Sequence, residues 1–540
     1  MNKKTKIIYA TFLLILSLFI FSKISQAAFF PLEITNIKPA GTGDPAIPST
    51  NRIFRAYPGI EYNIRAAVIG GTYPYTYSLS NQPEGMTINP RTGEISWPNP
   101  QTDANNISLS VTDSEDTTVQ TSWSIAVTEE GFIFVDSAYS GDETGSIEKP
   151  YSSVLSMLSS TINGDNSRIV YFRGGNYILP AHNSNPNAEI ALITGKAATN
   201  LNDNPATWLG YPGEDVNIDG DERLFSVFST SPYFDKLNLS NFSDYGMLMG
   251  NNNSYMTIRR CSWSNIVAVR TVNENQGFLF LSRSGAFGSF FVIQDNEFFN
   301  FTGASAIGSL YDHNKILIEN NYIHSSGGAG INGLNHPLMP KENLSYTTIR
   351  GNKVIVDKGL ILNARLYNSD YTEILYNLFY RQVSTERATA FETNTEGYTE
   401  SGTTKRVKFW RNTVTQDVYF RFINPENCSF SGPYYLNDNI ILNPNSNAST
   451  YETYNFLSFN NDGGMTAQQR IARRACINDE NNLYNTNIAS VIDSDGLLTL
   501  GYSEYLGYNG WQFGDGSTPV NFVENTDIIS PNSPTGLNVL

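Results

Sequence analysis

Charged and polar residues recur at the ends of a series of short apolar segments in the second half of the chain. The segments are separated by turn-forming residues and are predicted to be strands: 277–282, 305–312, 328–335, 360–365, 388–392, 418–422 and 455–459. If such strands lie side by side, the side chains at their ends can act together on one ligand. The residues concerned are Arg283, Asp312, His313, Asn335, His336, Arg365, Tyr367, Glu386, Arg387, Glu392, Arg421 and Glu426.

The first chemistry that these residue types support is β-elimination on a uronate polysaccharide. A basic side chain removes the proton next to the uronate carboxylate, and a cation neutralises the charge that develops. Arg365 or His336 is the candidate base, and Arg387 or Arg421 is the candidate cation. Calcium is the alternative cation, with Asp312 as its candidate ligand.

The second chemistry is glycoside hydrolysis, in which two carboxylates flank the scissile bond. Asp312 and Glu392 are the candidate pair, although they fall in repeats that are not adjacent. Substrate contacts are expected from the remaining polar residues and from aromatic rings that can stack on sugars. These candidate contacts are His313, Tyr367, Arg387, Arg421, Tyr380 and Trp410.

A purely structural interpretation of the same residues stays open. Charges on an exposed face often pair with one another in solvent, and Glu319 beside Arg350 is predicted to be such a pair. The aromatic rings could equally pack beneath long loops such as 397–405.

The elements that must position these residues form a repeat. An apolar residue, two variable residues, an asparagine, one variable residue and a second apolar residue recur, with successive asparagines 25 to 35 residues apart. Spacings of about 20–50 residues indicate a solenoid, a propeller or an array. The repeated asparagines are Asn296, Asn321, Asn352, Asn377, Asn412 and Asn439, and two earlier copies place Ser240 and Cys261 in the same frame.

The asparagines are expected to be architectural rather than catalytic. Residues three and five positions before them are mostly apolar, which places both on one face of a strand. Asparagine suits the corner that follows because it tolerates left-handed backbone angles. Stacked asparagine side chains can also hydrogen-bond from one coil to the next. Equivalent strand ends in successive coils should then lie about 4.8 Å apart and line a groove.

The N-terminus has the pattern of an export signal. Residues 1–6 are basic, residues 7–20 are apolar, and Ser25 and Ala27 supply small residues before a cleavage point at Ala28. Residues 1–27 are therefore predicted to be a signal peptide. An uncleaved membrane anchor is the rival, but the apolar run is short for a membrane span and ends in small residues.

Charge and cysteine content narrow the classes of partner. The net charge of −16 argues against nucleic acid, whose phosphates need a basic surface. An acidic polymer would need a local basic groove or a bridging metal ion. Three cysteines do not make a disulfide framework; Cys428 and Cys476 could pair after export, and Cys261 is expected to be a buried thiol.

Residues 28–129 alternate apolar and polar residues in short runs between turns, which predicts a β-sandwich. Segments 73–79, 83–89 and 92–97 resemble the immunoglobulin-like, cadherin-like modules of bacterial surface proteins. That resemblance implies a spacer or a protein-interaction unit.

The remainder to residue 524 opens with a strand at 132–136 and an amphipathic helix at 152–160. A Gly-Gly-x-Tyr strand at 168–177 and a Gly-Tyr-Pro-Gly-Glu strand at 208–220 follow. This order resembles the opening of the pectate-lyase-like right-handed parallel β-helix family, in which a helix caps the open end of the core. The clustered aspartates of calcium-dependent pectate lyases and the paired aspartates of polygalacturonases are not found. Residues 525–540 read as a polar, Pro-rich tail or linker.

The sequence therefore predicts an exported all-β protein with an immunoglobulin-like β-sandwich (28–129) and a single-stranded right-handed parallel β-helix (130–524). The expected partner is an extracellular polysaccharide or a cell-surface glycan. Cleavage by β-elimination is placed ahead of hydrolysis, and a non-catalytic surface adhesin or structural glycan-binding module is the alternative from another class.

Overall fold

The computed structural model describes residues 29–161, 169–179, 190–194, 207–223, 225–228, 232–243, 245–249, 254–267, 277–281, 288–302, 305–324, 337–356, 362–366, 368–381, 389–393, 406–415, 418–422, 434–442, 451–454, 457–460, 477–478, 480 and 482–485. No helix among these residues is long and apolar enough to cross a membrane. The predicted signal peptide, the pair Cys428 and Cys476 and the tail at 525–540 all lie outside them.

The N-terminal module is a β-sandwich of short, mainly antiparallel strands. One sheet has the order β2-β9-β8-β5 and the other β3-β7-β6, while β1 pairs with β4. Tyr62, Trp97 and Trp123 are buried between them. The strands are β1 Glu33–Ile34, β2 Arg55–Ala56, β3 Tyr62–Arg65, β4 Val68–Ile69, β5 Thr76–Ser80, β6 Thr87–Ile88, β7 Glu94–Trp97, β8 Ala104–Thr112 and β9 Thr118–Val127, with a 3-10 turn at Arg52–Phe54.

From residue 132 onward, the described residues form a right-handed parallel β-helix with three sheets. Sheet 1 contains β10 Phe132–Val135, β11 Ile169–Phe172, β14 Thr207–Gly210, β17 Tyr233–Asp235, β20 Thr257–Arg259, β23 Gly288–Gln294, β26 His313–Glu319, β29 Ser345–Arg350, β32 Asp370–Leu375, β35 Val407–Trp410, β38 Tyr434–Asn437 and β42 Ile477–Asn478. Sheet 2 contains β12 Gly175–Ile178, β15 Val216–Arg223, β18 Asn238–Ser243, β21 Ser262–Val267, β24 Glu297–Thr302, β27 Tyr322–Ile323, β30 Lys353–Val356, β33 Leu378–Arg381, β36 Thr413–Thr415, β39 Ile440–Leu442 and β43 Leu483–Asn485.

Sheet 3 completes the coils and contains three of the candidate residues, Arg365, Glu392 and Arg421. It contains β13 Ile190–Thr194, β16 Phe225–Phe228, β19 Tyr245–Met249, β22 Gly277–Leu281, β25 Ser305–Leu310, β28 Leu338–Pro340, β31 Leu362–Arg365, β34 Thr389–Thr393, β37 Val418–Phe422 and β41 Leu457–Asn460, with β40 Tyr451–Tyr454 antiparallel to β41 at its end. The predicted fold class is confirmed.

Period-two alternation builds the interior of the β-helix. Phe291 and Ile293 precede Asn296 in β23, Phe298 follows it in β24, and all three apolar side chains lie in one continuous core. The predicted capping helix, α1 (Val154–Thr161), contributes Val154 and Met157 to the same core. The helix therefore closes the N-terminal end of the solenoid interior, as the family resemblance implied.

The asparagines form a buried ladder that runs from coil to coil. Asn321 Oδ1 accepts hydrogen bonds from the Asn296 backbone N at 3.1 Å and from Asn296 Nδ2 at 2.9 Å. Its Nδ2 donates to Asn352 Oδ1 and to the Ile293 carbonyl, each at 2.9 Å. The ladder begins at Cys261, whose N donates to Asn296 Oδ1, and continues through Asn352, Asn377, Asn412 and Asn439 to Asn482.

Two details of the predicted ladder are wrong. The left-handed residue is the one before each asparagine, and these residues are Asp295, Asn320, Gly351, Tyr376, Arg411 and Asp438. The asparagine is placed there because its amide must reach the backbone of the next coil. Ser240 is not in the frame, since it pairs with Asp219 and Ser264 inside sheet 2.

The N-terminal module packs on the outer face of sheet 1. Arg350 of β29 is fully buried there, and its Nη1 and Nη2 donate to the Tyr75 hydroxyl and the Val68 carbonyl, each at 3.0 Å. Its guanidinium also meets Glu319 at 2.7 Å. The predicted solvated pair of Glu319 and Arg350 is therefore wrong, because the module covers both residues.

A cation of the module, Arg65, also reaches Glu319 and the neighbouring carboxylate of Asp295. Arg65 pairs with Asp295 and approaches Glu319 at 3.4 Å. Burial alone would raise the pKa of Asp295, but the guanidiniums of Arg65 and Arg259 hold that pKa below its usual range. The module and the solenoid are thus joined by buried, compensated charges as well as by apolar packing.

Candidate active site

Arg365, Glu392 and Arg421 occupy one register position in three successive strands of sheet 3. Arg365 of β31 pairs with Glu392 of β34, and Glu392 pairs in turn with Arg421 of β37. Paired positions in neighbouring strands are about 4.8 Å apart along the solenoid. Two basic positions therefore flank one acidic position, which we call the strand-end row.

Sequence reasoning missed two polar residues beside the strand-end row. Segment 328–335, predicted as the strand of this coil, lies outside the described residues, and the strand paired with β31 is β28. Lys341 follows β28 directly, and its Nζ donates to the Tyr311 hydroxyl at 2.7 Å. The segment Pro337–Pro340 contains two prolines, which argue against a strand; its apolar Leu338 and Met339 were the signal available.

Asp312 and His313 lie at the corner between sheets 3 and 1, where both are buried. Asp312 has a left-handed backbone, and its Oδ1 accepts a hydrogen bond from Asn343 Nδ2 at 2.5 Å. Asn343 Oδ1 accepts in turn from Asn368 Nδ2 at 2.7 Å. The ring of His313 packs 4.3 Å from that of Phe291. Asp312, Asn343 and Asn368 therefore form a hydrogen-bonded row across three successive coils.

The predicted carboxylate pair is well separated. Asp312 follows β25 and Glu392 lies on β34, with β28 and β31 between these two strands. Three strand spacings amount to about 14 Å. Known glycoside hydrolases hold their two carboxyl groups about 5–9.5 Å apart.

Tyr380 and Trp410 lie on sheets 2 and 1 rather than on sheet 3. Trp410 is only 3% exposed, and it packs edge-on against Tyr376 beneath the N-terminal module. Its Nε1 donates to Asp438 at 2.6 Å, and the Arg411 guanidinium lies 4.2 Å from the ring centre. Tyr380 is 6% exposed. Neither ring is grouped with the strand-end row.

His336, Tyr367 and Arg387 lie outside the described residues. Where side chains are described, no group of three or more His, Cys, Asp or Glu residues converges as metal ligands would. A calcium ion bound by Asp312 stays a prediction.

Residues 45–128, which form most of the N-terminal module, match a family model described as Putative Ig domain. No protein of curated function matches the chain. A rhamnogalacturonan lyase is similar over 72% of this chain and 94% of its own, at 11% identity and a TM-score of 0.32. A family 28 exopolygalacturonase from Yersinia enterocolitica is similar over 84% and 98%, at 7% identity and a TM-score of 0.26.

A putative α-galactosidase from Bacteroides fragilis is also similar, at 11% identity and a TM-score of 0.15. That match covers 27% of this chain and 37% of the other. The chain therefore spans little more than a third of the length of this relative. The protein combines an immunoglobulin-like module, matched over residues 45–128, with a parallel β-helix.

Proposed function

We propose that this exported protein binds an extracellular uronate polysaccharide and cleaves it by β-elimination at the strand-end row. The observation that carries the proposal is the backbone register that aligns Arg365, Glu392 and Arg421 in adjacent strands. A spacing of about 4.8 Å between the basic and acidic positions lets all three act on one sugar unit.

The arginines account for the binding of an acidic polymer by an acidic protein. With a net charge of −16, the protein as a whole repels polyanions. Arg365 and Arg421 supply positive charge at one place, and guanidinium groups can bind carboxylates through two parallel hydrogen bonds. Glu392 between them would hold the two guanidiniums apart and in position.

The same arginines would promote the chemical step. Removing the proton next to the uronate carboxylate builds negative charge on that carboxylate, and fixed cations stabilise it. Arginine does not lose its own proton in proteins, so Arg365 is assigned to the carboxylate rather than to the base. Calcium at Asp312 would be a second neutraliser, and the step does not depend on it.

Hydrolysis is less well supported than elimination. The separation of about 14 Å between the coils of Asp312 and Glu392 exceeds the distance across which two carboxyl groups serve one glycosidic bond. No other pair of carboxylates was predicted for this role.

A non-catalytic glycan-binding surface is the second candidate function. It is favoured by a row of amides on the outer face of sheet 2, where Asn217 donates to Asn176 at 3.0 Å and Asn238 donates to Asn217 at 3.1 Å. Such a row repeats hydrogen-bonding groups at strand spacing and could follow a sugar chain without cutting it.

A polysaccharide panel with three measurements separates these functions. Elimination creates an unsaturated uronate that absorbs in the ultraviolet, together with a new reducing end. Hydrolysis creates the reducing end alone, and an adhesin retains the polymer with neither product. The proposal predicts both signals on a uronate polymer, and reducing ends without ultraviolet absorbance would contradict it.

A further inference from the structure

Tyr311 and Lys341 form a close polar pair contributed by two neighbouring coils. The Lys341 ammonium nitrogen lies 2.7 Å from the Tyr311 hydroxyl oxygen and 5.1 Å from the centre of its ring. Lys341 is only 5% exposed, whereas Tyr311 is partly exposed. One member of the pair is therefore shielded from water while the other is open to a ligand.

The pair adjoins the strand-end row. Lys341 follows β28, Arg365 ends β31, and these strands are neighbours in sheet 3 with Leu338 paired to Leu362. Lys341 is also tied to the preceding coil, because its backbone N donates to the Leu310 carbonyl at 3.1 Å. Both members of the pair therefore lie at the end of sheet 3 where Arg365 also lies.

We infer that Lys341 is the base and Tyr311 the acid of the elimination, an assignment that rests on the proposed function. The Lys341 amine takes the proton from C5 of the uronate, and the C–H electron pair becomes the second bond of C4=C5. The C4–O4 bond breaks, and the Tyr311 hydroxyl gives its proton to O4. The ammonium then returns a proton to the phenolate across their hydrogen bond, so no water or other reactant is consumed.

Lysine and tyrosine side chains both act as general acids and bases when they are held within hydrogen-bond reach of the reacting atoms. A lysine must be neutral to accept a proton, and sites that exclude water favour this form. Arg365, on the strand next to β28, would neutralise the carboxylate, which makes the C5 proton easier to remove.

The distance between the two groups also selects the substrate. Groups only 2.7 Å apart reach a sugar from one side. The proton on C5 and the oxygen on C4 must then lie on the same face of the ring. In 4-linked glucuronate and mannuronate they do, whereas in 4-linked galacturonate they lie on opposite faces. The inferred substrate class is thus a polymer of 4-linked gluco- or manno-configured uronate.

Matched polymers test this class directly with the full chain. Polymannuronate and a 4-linked polyglucuronate are compared with polygalacturonate, each followed by ultraviolet absorbance. The inference predicts cleavage of at least one of the first two at more than about 100 times the rate on polygalacturonate. Preferential cleavage of polygalacturonate would overturn the inference and leave the proposed function standing. No elimination on any of the three would overturn both.

Two substitutions test the residues. Tyr311→Phe keeps the ring and removes the acid, and it should lower kcat by about 10²–10⁴-fold with KM little changed. Lys341→Arg keeps a long basic side chain but one that does not give up its proton, so it removes the base and should lower kcat by a similar factor. Tyr139→Phe is the matched control, since Tyr139 donates its hydroxyl hydrogen bond to Asp142 in an outlying turn. A kcat within twofold of the wild type for correctly folded Tyr311→Phe would overturn the assignment.

Discussion

Arg350 of the β-helix donates a hydrogen bond from Nη1 to the hydroxyl of Tyr75 in the N-terminal module, at 3.0 Å. The guanidinium also packs against the rings of Tyr73 and Tyr75, 4.7 and 4.8 Å from their centres. The module therefore acts as a fixed cover on sheet 1 rather than as a free spacer. Sheet 3, with the strand-end row, is a different face of the solenoid.

Arg350→Met should destabilise the protein by about 3–5 kcal/mol. The change leaves the buried Glu319 with a more distant cation, Arg65 at 3.4 Å, and a hydrogen bond from Gln294. Breaking one side of a buried ion pair costs about 3–5 kcal/mol. Denaturant unfolding measures the loss. Arg173→Met removes a partly exposed pair with Glu214 and should cost no more than about 1 kcal/mol. Equal losses for the two variants would contradict the buried role of Arg350.

The asparagine ladder predicts that two Asn→Ala substitutions lower the free energy of unfolding by very different amounts. Asn352→Ala removes the acceptor of the Asn321 backbone N and the donor to the Ile318 carbonyl, both buried. Each buried group left without a partner costs about 1–3 kcal/mol. Asn176→Ala removes one exposed hydrogen bond, which Asn176 accepts from Asn217, and should change stability by less than about 0.5 kcal/mol. Similar unfolding free energies for both variants would count against the ladder.

Acid should weaken the contact between the module and sheet 1. The folded pKa of Asp295 is below its ordinary value, so its contribution is full above the unfolded value of about 3.9. The contribution is lost as pH falls through the lower folded value. Asp295→Asn should be less stable than the wild type by about 3 kcal/mol near neutral pH, with a difference that shrinks in acid. Melting curves that stay parallel at every pH would contradict this.

Trp410 should not contribute to substrate binding, although the sequence suggested that it could. The ring is 3% exposed and is held by Asp438 and Tyr376. Trp410→Phe should leave KM within twofold of the wild type and lower the melting temperature. A severalfold rise in KM without a loss of stability would show that the ring meets the polysaccharide.

The solenoid could be predicted from the sequence because every coil needs apolar residues and an asparagine at equivalent positions. The apolar residues around Asn296 and Asn321 repeat since each coil buries the same face and turns the same corner. The burial of Arg350 and Trp410 has no such periodic signal. It depends on a module some 275 residues earlier in the chain, as the contact of Arg350 with Tyr75 shows.

The candidate site was predictable only in part, because contacts between residues far apart in the chain leave no periodic pattern. Arg365, Glu392 and Arg421 end strands of recognisable apolar pattern, so their residue types and spacing could be seen. Lys341 and Tyr311 could not be paired from sequence, because Pro337 and Pro340 obscure the strand that brings Lys341 beside the preceding coil. Which residues pair across coils depends on the strand register, and a shift of one residue moves every side chain of the strand to the other face.

The most direct test of the account is the rate of elimination by Arg365→Ala and Arg421→Ala on a uronate polymer that the wild type cleaves. Loss of a cation that stabilises developing charge should lower kcat/KM by about 10²-fold or more in each variant. Arg173→Met, a partly exposed arginine far from the row, serves as the control for both. The account predicts these losses with wild-type melting temperatures, and kcat/KM values within twofold of the wild type in both folded variants would contradict it.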